Sequence, residues 1–284
     1  MNLSFTDNQT RNLIDVLKPR LSSGKVLRFG VAFAKYSGFS MIEDALNECL
    51  KNGGEIDFLL GLDFRTTEPK VLRVLHNLKS KGSKVSFFCF SDPSTSDMPV
   101  YHPKIYLISG KRDALISVGS SNLTAGGLRT NAEVNVIIEA DLREEIVSDI
   151  HGIYNRYKFQ KDRFEPDINY IEAYEETYEI LRKKSAEALR EKFTKSKIIE
   201  LKEKERDLPR PKLTKTELWG WQKLIYEKLP ERIFQTSELY AYEKEFQQNY
   251  PENRYVRDKI RQVLQQLRDL GLLKHVGRSK WQSV

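Results

Sequence analysis

Hydrophobic runs with strand spacing and helix spacing alternate along the chain between residues 26 and 90. Three apolar runs rich in β-branched and aromatic residues predict buried strands over 26–34, 55–62 and 84–90. Between them, apolar residues recur every three or four positions over 37–51 and 68–81, which is the spacing of one helix face. Because neighbouring parallel strands need a crossover connection, this order predicts a mostly parallel sheet flanked by helices.

The segment that follows, after a polar loop at 91–100, adds further strands to this sheet. The expected elements are strands over 103–109, 113–118 and 132–138, a hairpin turn at Gly110, Lys111 and Arg112, and a helix over about 142–158. We therefore expect residues 1–160 to form an α/β domain with a mixed sheet.

The composition changes after residue 160. Residues 171–208 are rich in Glu, Lys, Arg, Ala and Leu and contain neither Gly nor Pro, which predicts one or two long, mostly exposed helices. We interpret 161–208 as a helical linker, and a part in dimer packing is the alternative. Pro209 and Pro211 then interrupt the helix and mark a domain boundary.

Residues 209–284 are typical of a winged helix-turn-helix domain. The expected elements are helices over 215–229, 238–247 and 254–270 and short strands over 272–276 and at Trp281 and Gln282. Thr236 or Ser237 can cap the second helix, Asn253 can cap the third, and Gly271 can end it. Three helices followed by a β-hairpin form a DNA-binding fold.

The net charge of +7 is concentrated in this last quarter of the chain. Residues 209–284 hold 15 Lys and Arg against 9 Asp and Glu, whereas the first 208 residues hold 32 against 31. This asymmetry indicates a polyanionic partner, and double-stranded DNA fits a winged helix. The cations expected to contact DNA are Arg254, Arg257, Lys259, Arg261, Arg278 and Lys280. The alternative is that these side chains only solvate a helix surface.

Other features point to a cytoplasmic protein without a cofactor. No apolar run is long enough to span a bilayer. The first 21 residues lack the pattern of a secretory signal and are expected to form an amphipathic helix. Cys49 and Cys89 lie in apolar contexts, which predicts buried, reduced thiols rather than a disulfide framework or a zinc site.

Polar residues stand where the predicted strands of the segment 101–139 begin or end. Because alternate residues of a strand share a face, His102, Lys104 and Tyr106 should point the same way, with roughly 7 Å between the imidazole and the ammonium group. Ser120 and Asn122 follow the next strand. Glu133 begins the third, where a histidine partner would offset the cost of burying its charge, while Val134, Val136 and Ile138 face the core.

These groups suit phosphodiester cleavage. A neutral imidazole can attack phosphorus and form a phosphohistidine, and a carboxylate on its other nitrogen can orient it. Lys104 and the amide of Asn122 can neutralise the non-bridging oxygens as charge develops. A second imidazole must protonate the leaving oxygen, and no metal is required.

The pattern His102-x-Lys104, Gly119-Ser120-x-Asn122 and Glu133 resembles the signature of the phospholipase D superfamily, in particular its metal-independent nuclease and restriction-endonuclease branch. The resemblance covers about half of the chain and implies catalytic roles for these side chains. Ser109 stands where the superfamily often has Asp, and Asp113 is out of register. The chain has a single motif of this kind, so the resemblance implies a homodimer formed through the nuclease domain, with two copies of His102 facing each other.

The last 70 residues resemble a Dam-replacing type of winged helix, which occurs at the C-terminus of some restriction endonucleases. Some relatives recognise DNA sites with methylated adenine, so an aromatic side chain of this domain could contact the methyl group. The candidate side chains are Trp219, Trp221, Tyr240, Tyr255 and Trp281. Trp221 is more simply explained as a core residue.

The sequence therefore predicts a homodimeric, metal-independent DNA endonuclease of a restriction system. One alternative is a non-catalytic DNA-binding regulator on a degenerate fold, and another is a lipid-acting phosphodiesterase. A rival set, Asp63, Glu68 and Lys70, imitates metal-dependent nucleases, but Pro69 interrupts it and is better explained as the start of a helix.

Overall fold

The computed structural model describes residues 1–62, 66–91, 100–161, 163–208 and 218–284. This described chain divides into two compact units, Met1–Ile198 and Ile199–Val284. The predicted boundary at Pro209 and Pro211 lies outside the described residues, as does most of the predicted loop 91–100. The three-part division at residues 160 and 208 therefore stays a prediction.

The described residues of the first unit form an eight-stranded mixed sheet in the order β1-β7-β6-β5-β2-β3-β4-β8. The strands are β1 Asn2–Thr6, β2 Val26–Val31, β3 Glu55–Gly61, β4 Val85–Phe90, β5 Lys104–Ser109, β6 Asp113–Gly119, β7 Asn135–Asp141 and β8 Arg163–Phe164. Strands β2, β3 and β4 are parallel, and the other pairings are antiparallel. The mixed α/β sheet predicted from the sequence is confirmed.

Helices cover both faces of this sheet. They are α1 Leu13–Leu21, α2 Tyr36–Lys51, α3 Pro69–Ser80, α4 Glu145–Lys158 and α5 Ile168–Arg190. The next helix along the chain, α6 Lys192–Asp207, has no buried side chain among its described residues. Residues of α1, α2, α3 and α5 pack on one face around Phe29, Phe58 and Tyr106, and α4 packs on the other against Leu107 and Ile116. The stacked rings of Phe29 and Phe58, 4.6 Å apart, centre the larger core.

The first half of α5 belongs to the first unit. Ile171 and Tyr174 are buried in its core, and the Tyr174 hydroxyl donates to the carbonyl oxygen of Thr67 at 2.9 Å. The rest of α5 and α6 is mostly exposed, as the charged composition predicts. No helix in the described ranges has both the length and the apolar character that crossing a membrane demands.

Two expectations about secondary structure are wrong. Residues 2–6 form β1 rather than part of a helix, because Leu3 and Phe5 alternate with polar residues at strand spacing, and the helix begins at Leu13. The strand expected over 132–138 covers Asn135–Asp141, because the ladder between β6 and β7 ends at the pair Gly119 and Asn135. Val134 is consequently exposed instead of buried, Val136 and Ile138 are only partly buried, and Ile137 packs in the core.

The strand register brings the signature residues to one end of the sheet. Lys104, at the start of β5, pairs with Val31 at the end of β2. Ile105 pairs with Val118 near the end of β6, and Gly119 pairs with Asn135 at the start of β7. The chain segments carrying His102, Ser120, Asn122 and Glu133 leave the sheet at this end.

The second unit has a winged-helix architecture. Its elements are α7 Gly220–Tyr226, β9 Phe234–Gln235, a 3₁₀ turn Thr236–Tyr242, α8 Glu243–Asn249, α9 Val256–Asp269, β10 Leu273–Gly277 and β11 Lys280–Ser283. Ile260, Val263 and Leu264 of α9 form its core, and Gly271 ends that helix with a φ of 77°.

The details of this unit correct three expectations, two about helix capping and one about the wing. The sequence predicts Thr236 or Ser237 as the cap of a helix over 238–247, whereas Gln235, in a reciprocal capping box with Glu238, caps the 3₁₀ turn that precedes α8. Asn253 accepts a hydrogen bond from the backbone N–H of Tyr255, which is the residue that precedes α9. In the described residues the wing also gains a third strand, since β9 pairs with β11.

Candidate active site

His102 and Lys104 are in direct contact. The ammonium nitrogen of Lys104 lies 2.6 Å from Nδ1 of His102 and donates to the carbonyl oxygen of the same histidine at 2.8 Å. The expected separation of roughly 7 Å is wrong, because His102 precedes β5 instead of lying in it and the lysine side chain folds back over the imidazole. The expected division of faces holds within the strand: Tyr106 packs in one core and Leu107 in the other.

The surroundings of His102 favour its neutral form. Partial burial and the positive charge of Lys104 both lower the pKa of His102. Burial also lowers the pKa of Lys104, and the negative charge of Glu133 opposes that shift. A neutral imidazole with an accessible ring nitrogen is the form needed for nucleophilic attack.

Glu133 is held by the turn after β6. Its carboxylate accepts a hydrogen bond from the Ser120 hydroxyl and a longer one, 3.4 Å, from the Asn131 amide. The Ser120 oxygen in turn accepts the backbone N–H of Val134 at 3.0 Å. The expected contact between Glu133 and His102 is not found among the described residues. The carboxylate of Glu133 instead affects the pKa of Lys104 through its charge and is hydrogen-bonded to Ser120.

The amide of Asn122 faces the end of β2. Its Oδ1 accepts the backbone N–H of Phe33 at 3.2 Å, so Nδ2 is oriented away from that contact and can donate elsewhere. Two glycines allow the turn to approach so closely. A Cβ at Gly119 would lie 2.3 Å from the carbonyl oxygen of Val134, and one at Gly127 would lie 2.3 Å from that of Asn122. The glycine of the signature is therefore a steric requirement.

Asn135 is a site residue that the sequence interpretation missed. It is fully buried, its Oδ1 accepts the backbone N–H of Ser121 at 3.3 Å, and its Nδ2 donates to the hydroxyls of Ser121 and Thr6. It therefore ties the residue between Ser120 and Asn122 to the sheet. The available signal was that Asn135 shares a face with Glu133 in the predicted strand over 132–138, where an unpaired polar group would be costly.

A second polar cluster lies at the opposite end of the sheet. Ser109, the last residue of β5, lies 3.2 Å from Nε2 of His151, and Arg28 lies 3.0 Å from Nδ1. Because β5 separates Ser109 from Lys104, His151 is about 17 Å of strand away from the candidate site. Asp113, whose role was open, pairs with Arg20 in the same region.

The rival metal motif is not assembled by the described residues. Asp63 lies outside the described residues. Glu68 precedes α3, which begins at Pro69 as expected, and accepts the backbone N–H of Tyr36 at 2.8 Å, while the ammonium of Lys70 lies over the Tyr36 ring. In the ranges that the structure describes, no group of three or more His, Cys, Asp or Glu side chains could hold a metal ion. Cys49 and Cys89 are both buried free thiols.

The six cations expected to contact DNA differ in their surroundings. Arg257 pairs with Glu243 at 2.8 Å, and Arg261 pairs with Asp258. The remaining members behave differently: Lys259 donates to Gln262 and has a pKa lowered by burial, whereas Arg254, Arg278 and Lys280 are exposed and make no ion pair within the described residues. The last three are thus free to meet phosphates. Among the aromatic candidates, Trp219 and Tyr255 are exposed, and Trp221 stacks on Tyr250 in the core as expected.

Comparisons with known proteins agree with this architecture. Residues 28–158 match the family model "Cardiolipin synthase, PLD-like domain", and residues 220–283 match "Dam-replacing HTH domain". No curated protein matches the chain.

Similar solved structures include NucT from Helicobacter pylori, at 12% identity and a TM-score of 0.44, covering 58% of this chain and 99% of that one. Nuc from Salmonella typhimurium, a phospholipase D family member, has 14% identity and a TM-score of 0.42, covering 58% and 97%. A phosphatidylserine synthase from Haemophilus influenzae Rd KW20 has 14% identity and a TM-score of 0.46, covering 66% of this chain and 46% of that one. The two family matches identify a phospholipase D-like domain in residues 28–158 and a Dam-replacing helix-turn-helix domain in residues 220–283.

Proposed function

We propose that the chain is a DNA endonuclease that hydrolyses phosphodiester bonds through a phosphohistidine. The observation that carries this proposal is the contact between the imidazole of His102, whose pKa is lowered, and the buried ammonium of Lys104. Ser120, Asn122 and Glu133 stand around it at the same end of the sheet.

The proposed reaction has two displacements at phosphorus. The ring nitrogen of His102 attacks, an N–P bond forms and the P–O bond to the leaving strand breaks, while a second imidazole gives its proton to the leaving oxygen. Water then attacks the phosphohistidine, loses a proton to that second imidazole, and releases the other strand end and the free histidine. Lys104 and the Asn122 amide stabilise the non-bridging oxygens in both steps, and no metal takes part.

A second copy of the chain would supply the second imidazole. His151 lies at the far end of the sheet, bonded to Arg28, and therefore does not serve. A homodimer related by a two-fold axis would bring two copies of His102 to one site, with one as nucleophile and the other as general acid.

The second unit would select the DNA. Arg254 precedes α9, and Arg278 and Lys280 lie in the wing, so their exposed charges suit a phosphate backbone. We propose that the protein is a sequence-specific restriction enzyme of the cytoplasm. In the most specific version of this proposal, recognition depends on adenine methylation. The intact site disfavours a non-catalytic regulator. The DNA-binding domain disfavours a lipid-acting phosphodiesterase.

The proposal is tested by digesting methylated and unmethylated plasmid in EDTA with the wild-type chain and with His102→Ala, and by sequencing the ends. We expect cutting by the wild type, loss of cutting by His102→Ala with DNA binding retained, and an acid-labile phosphoryl group on trapped wild-type protein. Cutting by His102→Ala would refute the nucleophile, and cutting abolished by EDTA would refute the metal-free mechanism. DNA binding without cutting by the wild type would support the regulator instead.

A further inference from the structure

Residues 32–35, which follow β2, connect the two parts of the candidate site. The backbone N–H of Ala32 donates to the carbonyl oxygen of Pro103, the residue between the signature histidine and lysine, at 2.9 Å. The next N–H, that of Phe33, donates to Oδ1 of Asn122 at 3.2 Å. The position of the Asn122 amide relative to the histidine therefore depends on this short segment.

The middle of the segment is held by Thr67. Its hydroxyl accepts the backbone N–H of Ala34 at 3.2 Å and donates to the carbonyl oxygen of Gly61, the last residue of β3, at 2.7 Å. The next residue, Lys35, donates its backbone N–H to the carbonyl oxygen of Leu123 at 2.9 Å. Because Thr67 has no exposed surface, removal of its hydroxyl would leave the N–H of Ala34 buried without its partner.

Two further hydrogen bonds fix Thr67 against the segment. The N–H of Glu68, the next residue, donates to the carbonyl oxygen of Ala34 at 2.9 Å. The buried hydroxyl of Tyr174, in α5, donates to the carbonyl oxygen of Thr67 at 2.9 Å. The threonine is therefore held from β3, from α5 and from the segment that it supports.

The packing around the segment is tight. A Cβ at Gly61 would lie 2.2 Å from the carbonyl oxygen of Ala32, and one at Gly38, in the first turns of α2, would lie 2.4 Å from Cα of Thr124. Backbone therefore contacts backbone on both sides, and a shift of the segment is transmitted to Asn122. A misplacement of about 1 Å can cost about 100-fold in the rate of an enzymatic reaction.

We infer that Thr67 is a positioning residue of the candidate site: its hydroxyl fixes the backbone of residues 32–35 and, through that backbone, the amide of Asn122. The inference rests on the proposed function, in which this amide stabilises the non-bridging oxygens. Because Thr67 is fully buried, it cannot contact DNA itself. Its loss should therefore slow cutting and leave DNA affinity unchanged.

The test compares Thr67→Val, which removes the hydroxyl at nearly constant volume, with Thr67→Ser, which keeps it. Thr236→Val is the matched control, since Thr236 in the second unit is also buried, accepts the indole N–H of Trp281 at 2.9 Å and donates to the carbonyl oxygen of Ser279 at 3.4 Å. Single-turnover cutting is measured at saturating protein, below the melting range of every variant.

We expect Thr67→Val to cut about 30-fold more slowly than the wild type, and Thr67→Ser and Thr236→Val to cut at nearly the wild-type rate. In an Asn122→Ala background, Thr67→Val should slow cutting by less than about twofold further, because the group that it positions is already absent. A wild-type rate in Thr67→Val, no rescue by serine, an equal loss in Thr236→Val, or an undiminished effect in the Asn122→Ala background would each overturn the inference.

Amide hydrogen exchange separates failure of this inference from failure of the proposed function. The N–H of Phe33 should exchange faster in Thr67→Val than in the wild type, whereas that of Phe29, in the middle of β2, should exchange as before. A wild type that cuts no DNA would refute the reaction, and faster exchange at Phe33 would still show that Thr67 positions the segment. Unchanged exchange at Phe33 would overturn the inference whether or not the wild type cuts.

Discussion

The cations of the two units are presented in opposite ways. Lys104 is buried at the end of the sheet and bonded to His102, with Glu133 close enough to affect its pKa. Arg254, Arg278 and Lys280 are exposed, with no ion pair in the described residues. A buried, fixed charge has already lost its hydration in the folded protein, at a cost in free energy, so substrate binding costs it little further desolvation. An exposed charge costs little and acts mainly through counterion release.

This difference indicates which unit is suited to catalysis. Transition-state stabilisation needs donors that are already aimed, and the turn around Ser120 is fixed by hydrogen bonds to Glu133, Val134 and Asn135. Binding a phosphate backbone tolerates mobile side chains and depends on salt. We therefore expect changes in the first unit to alter rates, and changes in the second to alter affinities.

The largest effect is expected for Lys104→Met. Methionine fills the buried space without the charge, so the non-bridging oxygens lose their nearest cation and single-turnover cutting should fall about 10³-fold, with DNA affinity within about twofold of the wild type. Lys183→Met, at an exposed position of α5, is the control and should cut normally. If Lys104→Met kept more than a tenth of the rate, the buried lysine would not be catalytic and the contrast between the units would fail.

Asn135→Ala tests the rigidity of the first unit. The alanine leaves the backbone N–H and hydroxyl of Ser121 and the hydroxyl of Thr6 without their partner, so the free energy of unfolding should fall by about 3 kcal/mol. Cutting below the melting range should fall as well, because the turn between Ser120 and Asn122 loses its tie. Asn155→Ala removes a half-buried amide bonded to Arg28 at the far end of the sheet and should destabilise without slowing the reaction. Equal rates in both variants would show that Asn135 is structural only.

The sequence predicts the positions of the candidate residues well where the alternation of side chains along a strand determines them. The sharing of a face by Lys104 and Tyr106, and the placement of the signature at strand ends, follow from alternation and the order of strands. The prediction fails where a residue lies outside the strand and therefore does not follow this alternation. His102 stands before β5, and the flexible stem of Lys104 folds back to it, so the spacing per residue does not give their distance.

The partner of Glu133 and the role of Asn135 depend on long-range pairing. The turn after β6 meets the start of β7 only once the ladder ends at Gly119, and no local pattern gives that register. Likewise, β1 forms a strand because it pairs with β7, more than 120 positions along the chain. The alternation of apolar and polar residues in its sequence is consistent with a strand but does not identify that partner. Local sequence predicts which elements form, whereas tertiary pairing decides which polar groups meet.

The affinity of the second unit is tested by the triple variant Arg254→Ala, Arg278→Ala and Lys280→Ala. If each cation neutralises a phosphate, affinity should fall about 10-fold to 100-fold and the slope of log K against log salt should decrease by about 2.7. The single-turnover rate at saturating protein should stay unchanged. Arg257→Ala with Arg261→Ala is the comparison, and its slope should change less, because those two cations are already paired with Glu243 and Asp258. A slower rate at saturation in the triple variant would contradict the division of roles.

The smallest effect is a partial shift in the pKa of His102, which isolates the electrostatic effect of Lys104. A neighbouring ammonium disfavours protonation, so the pKa of His102 should rise in Lys104→Met, and only in part, because burial is the larger cause of its lowered pKa and remains. Proton NMR titration gives His151 as an internal control: its pKa, lowered by burial and by Arg28, should not move in Lys104→Met and should rise in Arg28→Met.

Because a lowered pKa keeps the imidazole neutral to lower pH, the acid limb of wild-type cutting should lie below the pKa of an ordinary histidine, about 6.5. If the pKa of His102 were unchanged in Lys104→Met, the two side chains would not be in contact in solution. The contrast between a fixed charge in the first unit and exposed charges in the second would then not hold.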